Sequence, residues 1–158
     1  MNQFLLFTDG SVHPESSIGF GAYLVVPNPG LPLELLKAQV RVKRFEDTTS
    51  SKLELQTLLW ALGELNGKVK KIKVYTDSQT IIGLPARRDS LERNAYFSTK
   101  GFLLKNAALY RAFFQITDQL DCVFEKVKGH QQASQKEEID QLFTLVDRAS
   151  RNALREVL

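Results

Sequence analysis

The sequence predicts one α/β domain, residues 1–158, with a mixed β-sheet and helices packed on its faces. The length of 158 residues is typical of a single domain. Short apolar or alternating segments separated by turn residues occupy the N-terminal third, as expected for an antiparallel meander. Segments of helical period then alternate with short apolar segments, as expected for strands linked by helices.

The first three strands are predicted at 4–8, 20–26 and 38–45. Turn residues follow the first strand at Asp9, Gly10 and Ser11, and a proline-rich turn follows the second. In the third strand, apolar residues alternate with basic ones, a pattern typical of a strand.

The hydrophobic period changes at Leu53, from which apolar residues recur at helical spacing as far as Leu65. A fourth strand is predicted at 72–75, followed by a helix from 78 to about 84 that Pro85 ends. An irregular or partly helical segment at 87–101 and a helix at 106–119 come next. A fifth strand at 122–127 and a last helix from 134 onward complete the prediction.

Composition disfavours a disulfide-stabilised or membrane-spanning protein. Cys122 is the single cysteine, so no internal disulfide can form, and a reducing compartment is the simplest interpretation. The apolar run at 4–7 has no basic segment before it and is too short for a signal peptide or a membrane span. We therefore expect a cytoplasmic monomer without a membrane anchor.

Charge is distributed unevenly along the chain. The net charge is +3, but residues 68–111 contain ten basic and three acidic residues and carry +7, which leaves −4 for the rest. A basic segment in a chain that also carries acidic residues suits an enzyme that attracts a polyanion such as nucleic acid. The alternative is a solvated basic surface without a partner.

Four carboxylates occupy positions from which they could converge. Asp9 and Asp77 each follow a predicted strand, Glu54 lies in the first turn of a helix, and Asp147 lies at the edge of the apolar face of the last helix. Converging carboxylates raise each other's pKa, and divalent cations relieve that conflict. Two Mg²⁺ or Mn²⁺ ions about 4 Å apart can hydrolyse a phosphodiester.

Each carboxylate also has a structural interpretation. Asp9 could belong to a turn, and Glu54 could form a capping box with Ser51 at its own helix N-terminus. Asp77 could be the N-cap of the helix that follows it. Asp147 could pair with Arg151 one turn away.

Short sequence motifs favour the metal site. In their order along the chain, they resemble the motifs of ribonuclease H type 1. They are FTDGS at 7–11, the Gly-rich strand GFGAY at 19–23, TTSSKLEL at 48–55, VYTDSQ at 74–79, VKGH at 127–130 and VDRAS at 146–150. Their order and their spread over nearly the whole chain make the resemblance specific.

The resemblance implies the ribonuclease H fold, a five-stranded mixed sheet of order 3-2-1-4-5 with strand 2 antiparallel and helices on both faces. It implies hydrolysis of the RNA strand of an RNA–DNA hybrid with two Mg²⁺ ions, or Mn²⁺. Asp9 would bridge both ions, Glu54 and Asp77 would serve one, and Asp147 the other. His130 would assist proton movement or product release, although an exposed loop histidine is the alternative.

The resemblance also suggests residues that contact the substrate. Ser50 and Ser51 stand where the family often has two asparagines that contact the minor groove, and Thr49 is a candidate for a DNA-strand phosphate. The other candidates are Ser11, Ser78, Gln79, Arg87 and Arg88.

Two features depart from the family pattern. The interval from His130 to Asp147 is long, so Asp140 is an alternative fourth carboxylate. Residues 87–111 lack the usual Trp- and Lys-rich basic handle; their basic residues interleave with aromatics, which suits either a phosphate-tracking surface or a packed helix pair. We expect Tyr96, Phe97 and Phe102 mostly to pack. A related nuclease with another substrate, or a non-catalytic nucleic-acid-binding module, are the alternative functions.

Overall fold

The computed structural model describes residues 4–27, 30–127 and 133–158, with the side chains of the last helix described from residue 137. Its elements in chain order are β1 (Phe4–His13), β2 (Ile18–Val26), α1 (Leu33–Lys37), β3 (Arg41–Phe45), α2 (Ser50–Leu65), β4 (Lys71–Thr76), α3 (Gln79–Arg93), α4 (Ala107–Gln119), β5 (Asp121–Lys126) and α5 (Ala133–Val157).

The five strands form one mixed sheet in the order β3-β2-β1-β4-β5. β2 is antiparallel to both β1 and β3, whereas β4 is parallel to β1 and to β5. The predicted fold class, strand order and antiparallel second strand are confirmed.

The sheet separates two hydrophobic cores, because successive side chains of a strand point to opposite faces. On one face, Leu6 and Val74 pack with residues of α2, α3 and α4. On the other, Phe7 and Tyr75 stack at 5.1 Å between ring centroids and pack with residues of α5. Helices therefore cover both faces.

Glycines let α2 lie close to the antiparallel strands β1 and β2. A Cβ atom at Gly10 would lie 2.7 Å from Leu53 Cδ2, and one at Gly21 would collide with the Thr57 hydroxyl. This close approach brings the N-terminal half of α2, whose fifth residue is Glu54, near the part of β1 that carries Asp9.

Three predictions of local structure are wrong. β1 continues through Asp9 to His13, because residues 9–13 pair with β2 instead of turning. The short helix α1 lies inside the segment before β3, where no helix was predicted. α3 continues through Pro85 to Arg93. Pro85 faces solvent, while Leu84 and Leu91 are buried on either side of it.

The segment between α3 and α4 packs only in part. Tyr96 is buried as expected, but Phe97 and Phe102 are exposed, so the prediction that they pack is wrong for both. The polypeptide reverses direction near Gly101 (φ 85°), and Phe97 pairs with Leu103 across this reversal. None of the helices in the described ranges has the length and apolar character required to span a bilayer.

Candidate active site

Asp9 and Asp77 come together through the parallel pairing of β1 with β4. The last paired residues are Phe7 and Tyr75, so Asp9 and Asp77 each lie two residues beyond the same pair. Alternation places them on the sheet face that α5 covers, because Phe7 and Tyr75 belong to that core. The expectation that neighbouring strands bring both carboxylates to one edge is met.

Glu54 is held at this edge by Ser78. The Ser78 hydroxyl donates to Glu54 Oε2 at 2.5 Å and accepts from the Ile81 amide at 3.2 Å, as the N-cap of α3. Thr49 is the N-cap of α2 and accepts from the Lys52 amide at 3.4 Å. The capping-box interpretation of Glu54 and the N-cap interpretation of Asp77 are therefore wrong, and both carboxylates are available for another role.

Asp147 reaches the same edge from α5. Its carboxyl is close enough to that of Asp9 to raise the pKa of Asp9, and Arg151 Nε donates to its Oδ1 at 3.0 Å. Behind it, the fully buried Ser150 hydroxyl donates to the Asp147 carbonyl at 3.0 Å and lies 3.2 Å from Ser11 Oγ. The pairing of Asp147 with Arg151 that the sequence allowed is thus present, and it coexists with the contact to Asp9.

The electrostatic perturbation of the site is greatest at Asp9. Burial, the neighbouring Asp147 carboxyl and the negative charge of Asp77 raise the pKa of Asp9 from 3.8 to about 8, and a hydrogen bond from the Gly10 amide opposes them. Burial also raises the pKa of Glu54; the Ser78 hydrogen bond opposes this rise, and the charge of Asp77 adds to it. Carboxyls that are costly to ionise together have the chemistry that a divalent cation relieves.

The four carboxylates form a chain of neighbours. Asp147 is next to Asp9, Asp9 is near Asp77, and Asp77 is near Glu54. Within the described ranges, no three His, Cys, Asp or Glu side chains are arranged to hold a metal ion as they stand. Binding of a cation would therefore require these side chains to turn toward one another.

Two further predicted groups have different outcomes. His130 lies outside the described residues. Asp140 lies two helical turns before Asp147, and its Oδ1 is buried without a hydrogen-bond partner among the described residues. Asp140 is not among the groups that shift the pKa of Asp9, whereas Asp147 is.

Two of the serines predicted to contact substrate have their hydroxyls engaged inside the protein. Ser78 is 2% exposed and bonded to Glu54, and Ser11 is bonded to Ser150. Sequence motifs mark both serines, but only the fold shows that each faces another element. Ser150, which the sequence analysis did not single out, is the residue that completes the contact with Ser11.

Other predicted contacts lie on the surface of the same region. Ser50 and Ser51 are exposed in the first turn of α2, next to the exposed N-cap Thr49. Gln79 is exposed at the start of α3, where its Oε1 accepts from Lys126 Nζ at 2.6 Å. All four are close to the carboxylates along the chain, since Thr49, Ser50 and Ser51 precede Glu54 on α2 and Gln79 follows Asp77.

The two α3 arginines predicted to contact the substrate, Arg87 and Arg88, make contacts within the protein. Arg88 makes two hydrogen bonds to the Asp118 carboxylate, at 2.6 and 2.9 Å, and so joins α3 to α4. The Arg87 guanidinium lies 5.6 Å from the centre of the Tyr110 ring. Both lie roughly 12–15 Å along α3 from Ser78, at about 1.5 Å per residue.

Comparison with known proteins agrees with this geometry. A family model described as RNase H matches residues 1–147. A protein of Syntrophomonas wolfei named Ribonuclease H is 27% identical over 160 residues, 99% of each chain. The solution structure of the PFV RNase H domain superimposes with a TM-score of 0.67 at 15% identity over 95% of each chain.

A larger protein contains the same fold. The foamy viral protease-reverse transcriptase, solved in complex with an RNA/DNA hybrid, matches with a TM-score of 0.67 at 12% identity. The match covers 94% of this chain and 20% of that one. At these identities the solved structures show a shared fold.

Proposed function

The chain belongs to the ribonuclease H family, and we propose that it hydrolyses the RNA strand of RNA–DNA hybrids with two divalent metal ions held by Asp9, Glu54, Asp77 and Asp147. Ribonuclease H activity follows from the family match and from relatives of that name that align over 99% of both chains. The metal ions and the residues that bind them are the proposal.

The observation that carries the metal site is the position of Asp9 between two other carboxyls. Asp9 is partly buried and lies beside Asp147 and near Asp77, and no basic group is among the causes of its pKa shift. A buried carboxyl with carboxyl neighbours is costly unless it is protonated or bound to a cation. Oxygen ligands of this kind suit Mg²⁺ and Mn²⁺.

Bound ions would activate the attacking water and stabilise the leaving oxygen of the RNA strand. The chain's own residues hold and orient the ligands. Ser78 fixes Glu54 against the N-terminus of α3, and Ser150 with Ser11 ties the last turns of α5 to β1. We assign the fourth ligand to Asp147 rather than Asp140 because of its contact with Asp9, and we keep His130 as the residue that assists proton movement or product release.

Exposed groups around the carboxylates supply the substrate contacts in this proposal. Ser50, Ser51 and Gln79 surround the site and can hydrogen-bond to groove edges or 2′-hydroxyls, which distinguish RNA from DNA. Thr49 remains a candidate for a DNA-strand phosphate. We no longer assign Ser11 and Ser78 to the substrate, since their hydroxyls are engaged elsewhere.

Cleavage of an end-labelled RNA–DNA hybrid tests the proposal. The protein should cut the RNA strand with Mg²⁺ or Mn²⁺ and leave duplex DNA, duplex RNA and single strands intact. Failure to cut the hybrid at any metal concentration would refute the activity, and cleavage of another member of the panel alone would point to a related nuclease.

Amide substitutions test the ligands. Asp9→Asn should abolish cleavage, whereas Asp89→Asn, an exposed aspartate on α3, should leave it unchanged. Asp147→Asn should cost far more activity than Asp140→Asn. The reverse order would assign the fourth ligand to Asp140.

A further inference from the structure

Residues 96–104, which we call the aromatic hairpin, lie between α3 and α4 along the chain. Phe97 and Leu103 form an antiparallel bridge, and the Leu104 amide donates to the Tyr96 carbonyl at 2.9 Å. The Ser98 amide donates to the Phe102 carbonyl at 2.7 Å, and the Ser98 hydroxyl accepts from the Phe102 amide. These bonds fix the backbone, so the tip is an ordered structure.

This ordered tip displays large apolar side chains to solvent. Phe97 is 47% exposed, Phe102 72% and Leu103 54%. Tyr96 anchors the hairpin in the core, with the Arg111 guanidinium 4.7 Å from its ring centre. A cluster of exposed apolar side chains on a fixed scaffold is typical of a binding surface.

The charge around the hairpin selects the kind of partner. From Arg93 to Thr117 the chain has four basic residues and no acidic one. Lys100 is exposed on the hairpin, and Lys105 is exposed directly after it. A surface that combines positive charge with exposed aromatic rings suits a polyanion whose units carry flat apolar faces. Single-stranded nucleic acid has both properties.

We propose that the aromatic hairpin binds unpaired nucleotides that flank the hybrid, by stacking of Phe97 and Phe102 on bases and by contact of Lys100 and Lys105 with phosphates. Within a continuous duplex the base faces are hidden in the stack, so exposed rings find partners only on unpaired bases. This inference rests on the proposed function, and it makes a hybrid adjoining a single-stranded segment the preferred substrate.

The distance from the carboxylates is compatible with one continuous substrate. The 15 residues of α3 begin beside Asp77 and end at the hairpin, which is about 22 Å at a rise of about 1.5 Å per residue. At about 3.4 Å per nucleotide, that length corresponds to six or seven nucleotides. A strand that leaves the hybrid this far from the cut would reach the hairpin.

Binding of single strands tests the hairpin without reference to cleavage. Fluorescence anisotropy would be measured in EDTA with labelled RNA and DNA oligonucleotides of about 12 nucleotides. Phe102→Ala should weaken binding about tenfold, as expected for the loss of one stacked base, and Phe102→Trp should retain it. Leu103→Ala removes the neighbouring exposed apolar side chain, which has no π-face, and should change affinity less than about twofold.

A cleavage ratio tests the preferred substrate. The wild-type protein should cut a hybrid with a single-stranded extension faster than the same hybrid with blunt ends, and Phe102→Ala should bring that ratio close to one while Leu103→Ala preserves it. Two results would overturn the inference. Unchanged single-strand affinity in Phe102→Ala would favour a protein partner for the hairpin. Equal losses of affinity in Phe102→Ala and Leu103→Ala would show that stacking on the ring is not what binds the strand. Cleavage of the blunt hybrid reports separately on the proposed function.

Discussion

Replacing Asp9 by Asn should stabilise the metal-free protein at alkaline pH while it abolishes cleavage. The native pKa of Asp9 is about 8, raised first by burial and then by its carboxyl neighbours, against an ordinary value of 3.8. Between these values the native state binds more protons than the unfolded state. Stability therefore falls as pH rises through this window, and an uncharged side chain removes that loss.

The size of the effect follows from the shift. One pKa unit corresponds to about 1.4 kcal/mol, so from pH 5 to a native pKa of about 8 the metal-free wild-type protein loses roughly 4 kcal/mol of unfolding free energy. Above the native pKa the loss is constant. Asp9→Asn should therefore gain less at pH 5 than at pH 7, and most at pH 9.

Urea unfolding in EDTA at pH 5, 7 and 9 measures this difference, with Asp89→Asn as the control for loss of an exposed carboxylate. The gain of Asp9→Asn should grow with pH, and that of Asp89→Asn should not. A gain that is the same at pH 5 and pH 9, or no gain at all, would refute the account of Asp9 as a buried carboxyl among carboxyls.

Three further changes test the site and its supports. Because protons compete with cations for Asp9, the apparent affinity for Mg²⁺, measured by titration of cleavage, should rise with pH up to about 8 and then level off. Ser78→Ala removes the N-cap of α3 and the donor to Glu54. It should lower the free energy of unfolding, measured in urea, by about 0.5–2 kcal/mol, and it should shift the Mg²⁺ midpoint of cleavage. An unchanged midpoint would exclude a positioning role. Gly21→Ala should cost about 1–3 kcal/mol through collision with Thr57, and Thr57→Ala in the same chain should recover part of that loss.

The sequence predicted the sheet and the placement of Asp9 and Asp77 at one edge of it because these depend on simple periodicities. Parallel neighbours in register suffice to place Asp9 and Asp77 two residues beyond the same pair. Glu54 was expected in the first turn of a helix, but α2 begins at Ser50 and Glu54 is its fifth residue. The predicted end of the first strand was nevertheless wrong, because pairing with β2 holds Gly10 and Ser11 in the strand.

Other features depend on tertiary contacts that no local pattern contains. Pro85 removes one hydrogen bond from α3, but burial of Leu84 and Leu91 and the Arg88 pair with Asp118 hold the helix together across it. The hydrogen-bond partner of the Ser78 hydroxyl depends on where α2 lies relative to β4.

The exposure of the two phenylalanines depends on the path of the chain between α3 and α4. Phe97 and Phe102 are apolar, and their sequence context favoured packing. The hairpin that closes at Gly101 instead carries them away from the core that buries Tyr96. The identity of the side chain alone could not distinguish the exposed Phe97 and Phe102 from the buried Tyr96.

The separation of the two cores by the sheet implies an order of inactivation. α5 packs on β1, β2 and β3 through Ile139, Leu142 and Val146, whereas α2, α3 and α4 occupy the opposite face. Detachment of α5 would withdraw Asp147 and leave the other three carboxylates on an otherwise assembled scaffold. On heating, turnover should therefore fail at a lower temperature than far-ultraviolet ellipticity, and cooling should restore it as long as that scaffold persists.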